Sequence, residues 1–155
     1  MAPAGPAQPM LSWFKSLLGG VRAEDAGARG ERLAAEWLRR ERGFTVIARN
    51  WRSPRDRRDE IDLVCRDGGA LVFVEVKTRS PNALVPGVHA VDARKKRVLR
   101  RAATAYLAGL GEKPRTFRLD VVEVTLAPAG AKGTAAEAEL LHFENVALFP
   151  KYFRG

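Results

Sequence analysis

Cysteine and histidine are almost missing from this chain: one Cys and two His occur in 155 residues. A single thiol cannot close an internal disulfide, which makes the reducing cytoplasm the expected compartment. So few sulfur and imidazole donors also exclude a structural zinc site. No uninterrupted apolar run approaches the ~18 residues of a membrane span, so no membrane partner is expected. The apolar stretch from Met10 to Val21 (MLSWFKSLLGGV) is interrupted by Lys15 and lacks a preceding basic region, and it reads as a short amphipathic piece rather than a signal peptide. Acidic residues are scarce beside basic ones, 18 against 27, giving a net charge of +9 and an isoelectric point near 10.4. That imbalance points to a polyanionic partner, nucleic acid first.

What is present is enough to build a core. Hydrophobic residues make up 46% and charged residues 29% of the chain, which excludes wholesale disorder. The length suits one compact domain. Residues 1–26 open on the Pro- and Ala-rich MAPAGPAQP and read as a flexible N-terminal extension. A second weak zone, APAGAKGT at 127–134, precedes a last apolar segment. The expected organisation is therefore an extension (1–26), an α/β domain (27–126), and a loop with a C-terminal segment packing on that domain (127–155). No internal repeat is visible.

The domain reads as helix, three strands, helix, strand. Gly27 to Arg42 carries apolar residues at helical spacing and stops at Gly43. Phe44 to Arg49 is rich in β-formers. Glu60 to Cys65 and Ala70 to Lys77 flank Asp67-Gly68-Gly69, a hairpin turn signal. Asp92 caps a helix running to Leu110, with Val98, Leu99, Ala102, Ala103, Tyr106 and Leu110 as its apolar stripe. Phe117 to Leu126 is a further strand. A strand, a helix and a strand make a crossover unit, so the second hairpin strand should run parallel to this one. The expected fold is α/β, a mixed sheet of four to five strands flanked by helices.

A turn at Gly68-Gly69 sets Asp62 opposite Glu75 and Glu60 opposite Lys77. Alternation places all four on one face, with Ile61, Leu63, Val74 and Val76 on the other. Two opposed carboxylates repel, so either Lys77 offsets the charge or a divalent cation, Mg²⁺ or Mn²⁺, sits between Asp62 and Glu75. A solvated charged face is the competing reading. Glu31 adds weight to the cation, because its helical neighbours Ala34, Ala35 and Leu38 place it on the apolar stripe, where a carboxylate needs a partner. Gly27, Gly30, Ala34 and Ala35 are small enough to let that helix approach the sheet closely.

Basic residues cluster twice: Arg52, Arg55, Arg57 and Arg58 in the loop before the hairpin, and Arg94, Lys95, Lys96, Arg97, Arg100 and Arg101 on the second helix. Lys95 and Lys96 flank the apolar stripe and could reach the sheet edge, while Arg97 and Arg101 face outward. With Arg79 after the hairpin, Arg52, Arg55, Arg57, Arg58, Lys95, Lys96, Arg97 and Arg101 form the expected phosphate-gripping set. No aromatic ladder accompanies them, which argues against a single-strand stacking platform. Cys65 reads as core, and His89 and His142 as isolated residues with no role.

The order Glu31, Asp62, Glu75-Val76-Lys77 resembles the active-site series of the PD-(D/E)XK nucleases, whose fold is restriction-endonuclease-like. More closely, GARGERLAAEWL, Asn50-Trp51-Arg52, EIDLV, LVFVEVKTR and Arg118-Leu119-Asp120-Val121-Val122 resemble the YraN-like bacterial family, over roughly 27–125. HFENVALF (142–149) is similar to that family's ending. The resemblance implies Asp62 and Glu75 as metal ligands, Lys77 as the catalytic lysine, and Glu31 as an accessory ligand or water-holder. Lys95 matches a lysine of the YraN-like pattern. Archaeal Holliday-junction resolvases share the series, which raises branched DNA as a substrate, and related nucleases are often dimers, which raises a homodimer. Two departures stand out: Asp59 occupies a position where the family has Gly, and the Arg-rich connection before Glu60 is longer than the family pattern. The resulting expectation is a Mg²⁺- or Mn²⁺-dependent endonuclease acting on DNA. The alternatives are a non-catalytic nucleic-acid-binding module of the same fold, or a subunit active only in a complex.

Overall fold

The structure is a computed structural model that describes residues 25–80, 91–127 and 138–148. The extension up to residue 24, with the amphipathic piece at 10–21, lies outside the described residues, as do His89 and most of the APAGAKGT stretch. The order is α1 (Ala26–Glu41), β1 (Thr45–Arg52), β2 (Glu60–Asp67), β3 (Ala70–Arg79), α2 (Ala93–Ala108), β4 (Thr116–Leu126) and β5 (Ala138–Phe143). The five strands form one sheet in the order β1-β2-β3-β4-β5. Only the β3–β4 pair is parallel, with α2 as its crossover. This is the α/β architecture expected from the sequence.

Both helices start on side-chain caps. Asp25 accepts from Ala28 N at 2.8 Å and Asp92 from Lys95 N at 2.8 Å, satisfying orphan N–H groups of each first turn. Gly43, at φ +71°, supplies the left-handed turn between α1 and β1 that an L side chain would resist. Gly30 serves a different purpose, because a methyl group there would collide with the Thr78 side chain. The small face expected of α1 is thus Gly30, Ala34 and Ala35, all buried, whereas Gly27 is exposed.

The sheet has an apolar cluster on each face. Ala34, Ala35, Leu38 and Phe44 pack with Leu63, Cys65, Val72, Val74, Val76, Val122 and Val124. Leu99, Ala102, Ala103 and Leu107 of α2 pack with Ile61, Val64, Leu71, Phe73, Leu119 and Val121. Two expectations need correction. Leu107 belongs to the α2 stripe, whereas Val98 is only half-buried and lines an arginine cleft. Ile61 packs with the α2 cluster rather than with Leu63, because strict alternation fails at Asp62 as β2 parts from β3. Val146 packs against the same cluster and Leu148 is buried in it, and Arg100 donates to the Leu148 carbonyl at 2.9 and 3.1 Å.

Candidate active site

The hairpin register is the one the glycine turn dictates. Asp67 faces Ala70, and the ladder runs without a slip to Leu63 facing Val74. There it ends, one step short of Asp62 and Glu75. Beyond that point Asp62 Oδ2 accepts the N–H of Val76 at 2.8 Å, so a side chain stands where backbone pairing has stopped. The strands fork at the residues of interest, in that their backbone pairing ends there while each strand remains anchored in the sheet, β2 by β1 and β3 by β4.

Glu75 is 1% exposed and Asp62 8%. Glu75 Oε1 receives the Lys77 ammonium at 2.7 Å and the Lys95 ammonium at 3.0 Å. Glu75 Oε2 is buried and has no hydrogen-bond partner. Burial, then the charge of Glu75, push the Asp62 carboxyl up to about 7, against the opposing pull of the Val76 N–H and of Lys95. Burial acts to lower the Lys95 pKa, but the attraction and hydrogen bond of Glu75, with Asp62 and Glu60 beyond, raise it on balance. A buried acid that resists ionisation stands beside a carboxylate oxygen that lacks a donor, while both ammonium groups crowd the other oxygen.

Glu31 is half-buried at the start of α1, within the fields of Glu60 and Glu75. Burial raises its carboxyl and a hydrogen bond from Asn50 lowers it, and the neighbouring acids leave it raised. Asn50 was missed as a site residue from sequence, where it figured only as part of a resemblance. It sits at φ +49°, a backbone conformation that asparagine tolerates better than most residues, and that tolerance was the available signal. Glu31, Asp62, Glu75 and Lys77 therefore share one neighbourhood. They do not form a three-acid cage: among the described residues no three His, Cys, Asp or Glu side chains could together hold a metal ion. Glu31 instead spends its hydrogen bond on Asn50, and the carboxylate pair Asp62 and Glu75 remains. That pair fits Mg²⁺ or Mn²⁺, which commonly keep several waters on one or two protein carboxylates, and the unpartnered Glu75 Oε2 is the oxygen left for such an ion.

The basic residues divide. Arg52 pairs with Glu60 at 3.0 Å, Arg58 with Asp56 at 2.9 Å, Arg79 with Glu123 at 3.3 Å, and Arg101 with Asp59 at 2.6 Å. Lys95, expected among the phosphate contacts, turns inward to Glu75. Arg101 faces outward as expected, and it also clamps Asp59 with two nitrogens. Asp59 itself is buried and holds the Arg-rich loop to α2, so it is half of a structural clamp. Among the described residues, Arg55, Arg57, Lys96 and Arg97 form no ion pair. Arg58, Arg94, Arg97, Val98 and Arg101 line a cleft of about 350 Å³ on α2.

His142 also departs from expectation. Its Nε2 lies 2.9 Å from Asp120 Oδ2, and its ring meets Trp37 and Phe44 edge-on. Asp120, fully buried, also accepts from Arg118 and from Asn145 N. The pair is recorded across β4 and β5, 22 residues apart, which no local pattern reveals. Cys65 is core as expected, and burial first, then Asp120, push its thiol up to about 12, which leaves it unreactive.

Residues 30–124 match the family model described as Uncharacterised protein family UPF0102. The chain is 50% identical over 112 residues to a UPF0102 protein of Beutenbergia cavernae, covering 72% of this chain and 92% of the relative. It is 50% identical over 104 residues to a UPF0102 protein of Symbiobacterium thermophilum, covering 67% and 85%. A UPF0102 protein of Chlorobaculum parvum is 40% identical over 118 residues, covering 76% and 88%. These names state no reaction, and every residue discussed at the acid cluster falls inside the matched span.

Proposed function

The chain belongs to the uncharacterised protein family UPF0102, and from that premise we propose that it is a divalent-cation-dependent phosphodiesterase acting on nucleic acid. DNA is the first candidate, and branched or structured DNA the first form to test. The observation that carries this reading is the forked hairpin end, where a buried Asp62–Glu75 pair leaves Glu75 Oε2 without a donor beside the Lys77 ammonium.

Asp62 and Glu75 would hold Mg²⁺ or Mn²⁺. When bound, such a cation stabilises negative charge on a phosphoryl oxygen and eases deprotonation of water. Lys77, 2.7 Å from Glu75, would orient the attacking water or donate to the oxygen that gains charge. Glu31, hydrogen-bonded by Asn50, would serve as an acceptor for that water. Arg55, Arg57, Lys96 and Arg97 would hold backbone phosphates, making binding salt-dependent but largely indifferent to sequence. Arg52, Arg58, Arg79 and Arg101 contribute to the field while remaining tied to their carboxylates.

The test is cleavage of duplex, flapped and four-way-junction DNA by the purified chain with Mg²⁺ or Mn²⁺. Products are expected from the wild type and not from Asp62→Ala or Lys77→Ala. Products that persist in both variants would assign the activity to a contaminant. A second reading, a nucleic-acid-binding module without turnover, draws on the two lysines already satisfying Glu75 Oε1. It predicts salt-sensitive DNA binding, no cleavage with any divalent ion, and no stabilisation by Mn²⁺.

A further inference from the structure

One oxygen of Glu75 carries two ammonium groups while the other carries none. Lys77 arrives there by simple alternation along β3. Lys95 arrives from the first turn of α2, placed by the Asp92 cap on its own N–H and by Leu99, Ala102 and Ala103 seating the helix in the core. Its side chain is 27% exposed, so the ammonium is not sealed in. Its four-carbon stem also gives it freedom to swing outward. Besides Glu75 it lies in the fields of Asp62 and Glu60, the acids that flank the fork.

Those positions give Lys95 a specific relation to any incoming cation. An ion held between Asp62 and Glu75 would meet a positive charge already bound to the same carboxylate, with little solvent between them to screen the repulsion. We propose that Lys95 is the resident counter-ion of the acid pair, and that a divalent cation entering there displaces its ammonium from Glu75. The inference rests on the reading of Asp62 and Glu75 as a cation site, and it deepens that reading: Lys95 sets how tightly the ion is held. Lys95 is thus a positioning residue acting through Glu75, not one of the phosphate contacts.

The experiment is Mn²⁺ titration of the whole chain, followed by the electron paramagnetic resonance signal of the free ion, for wild type, Lys95→Met, Lys95→Arg and Glu75→Gln. Removing one adjacent like charge should tighten Mn²⁺ binding by about tenfold or more in Lys95→Met, the scale on which a nearby charge shifts a bound cation or proton. Lys95→Arg, which keeps the charge, should stay close to wild type, and Glu75→Gln should lose the site. Lys95→Gln supplies a second neutral side chain if Lys95→Met does not fold. If Glu75→Gln abolishes binding but both neutral variants bind like wild type or more weakly, the counter-ion inference is wrong and the cation site stands. If Glu75→Gln binds like wild type, or no variant binds Mn²⁺, the cation site and this inference fall together.

Discussion

Two buried carboxylate centres sit in the same sheet and have opposite characters. Asp120 accepts from Arg118, His142 and the Asn145 N–H. Burial acts to raise its carboxyl, but those bonds outweigh it and hold the group below the ordinary range. Asp62 has one backbone donor and a like-charged neighbour, and its carboxyl is raised to about 7. Burial alone therefore does not make equal sites: Asp120 is fully partnered, while Asp62 has a single donor.

The largest break in this comparison should come from Asp120→Ala. It leaves the Arg118 guanidinium with Asp67 alone and takes from His142 Nε2 its acceptor, so a loss of about 3 kcal/mol is expected in urea unfolding, the lower end of the usual cost of breaking one side of a buried ion pair. Asp62→Asn should do the reverse: it should abolish cleavage yet leave stability intact or higher. At Lys77, conversion to Ala should reduce turnover by about 10²–10³-fold, the scale of one lost electrostatic donor, with little change in unfolding. A variant at Asp62 or Lys77 that unfolds the chain as Asp120→Ala does would erase the distinction.

Acidity sharpens the same contrast. Between 3.8 and about 7, folded Asp62 keeps a proton that the unfolded chain has released, so its contribution to stability falls as the pH rises through that window. The Asp120 contribution has the opposite sign: it is present above 3.8 and is lost as the pH falls through its depressed folded value. Unfolding measured from pH 4 to pH 8 should therefore flatten in Asp62→Asn and not in Asp120→Asn.

The smallest expected effect concerns the basic face. Asp59→Gly would release Arg101 from its clamp, and the salt dependence of DNA binding should steepen by about one unit of slope, as for one added phosphate contact. An unchanged slope would show that Arg101 cannot reach the backbone even when released.

Much of the frame follows from local chemistry. The Asp25 and Asp92 caps, the left-handed Gly43, the glycine turn and the alternation that joins Glu75 to Lys77 all act within a few residues, so they can be read in order along the chain. The crossover between β3 and β4 follows from the same order of elements. The α1 stripe placed Glu31 toward the acids for a similar reason. Where local rules stop, expectation failed at identifiable residues. Ile61 changes face because the ladder ends at Leu63, which depends on how two strands separate rather than on either strand's pattern.

The sequence alone determined the presence of the acidic series, the hairpin register as far as Leu63 and Val74, and the excess of positive charge, because spacing and composition act without long-range contact. Only tertiary structure decided which charges are spent. Arg101 finds Asp59 across 42 residues, Arg118 finds Asp67 across 51, and Lys95 turns to Glu75 instead of solvent. Such pairs depend on the distance and burial that folding creates between remote elements, and those two quantities set whether a buried acid is stabilised, neutralised or left open.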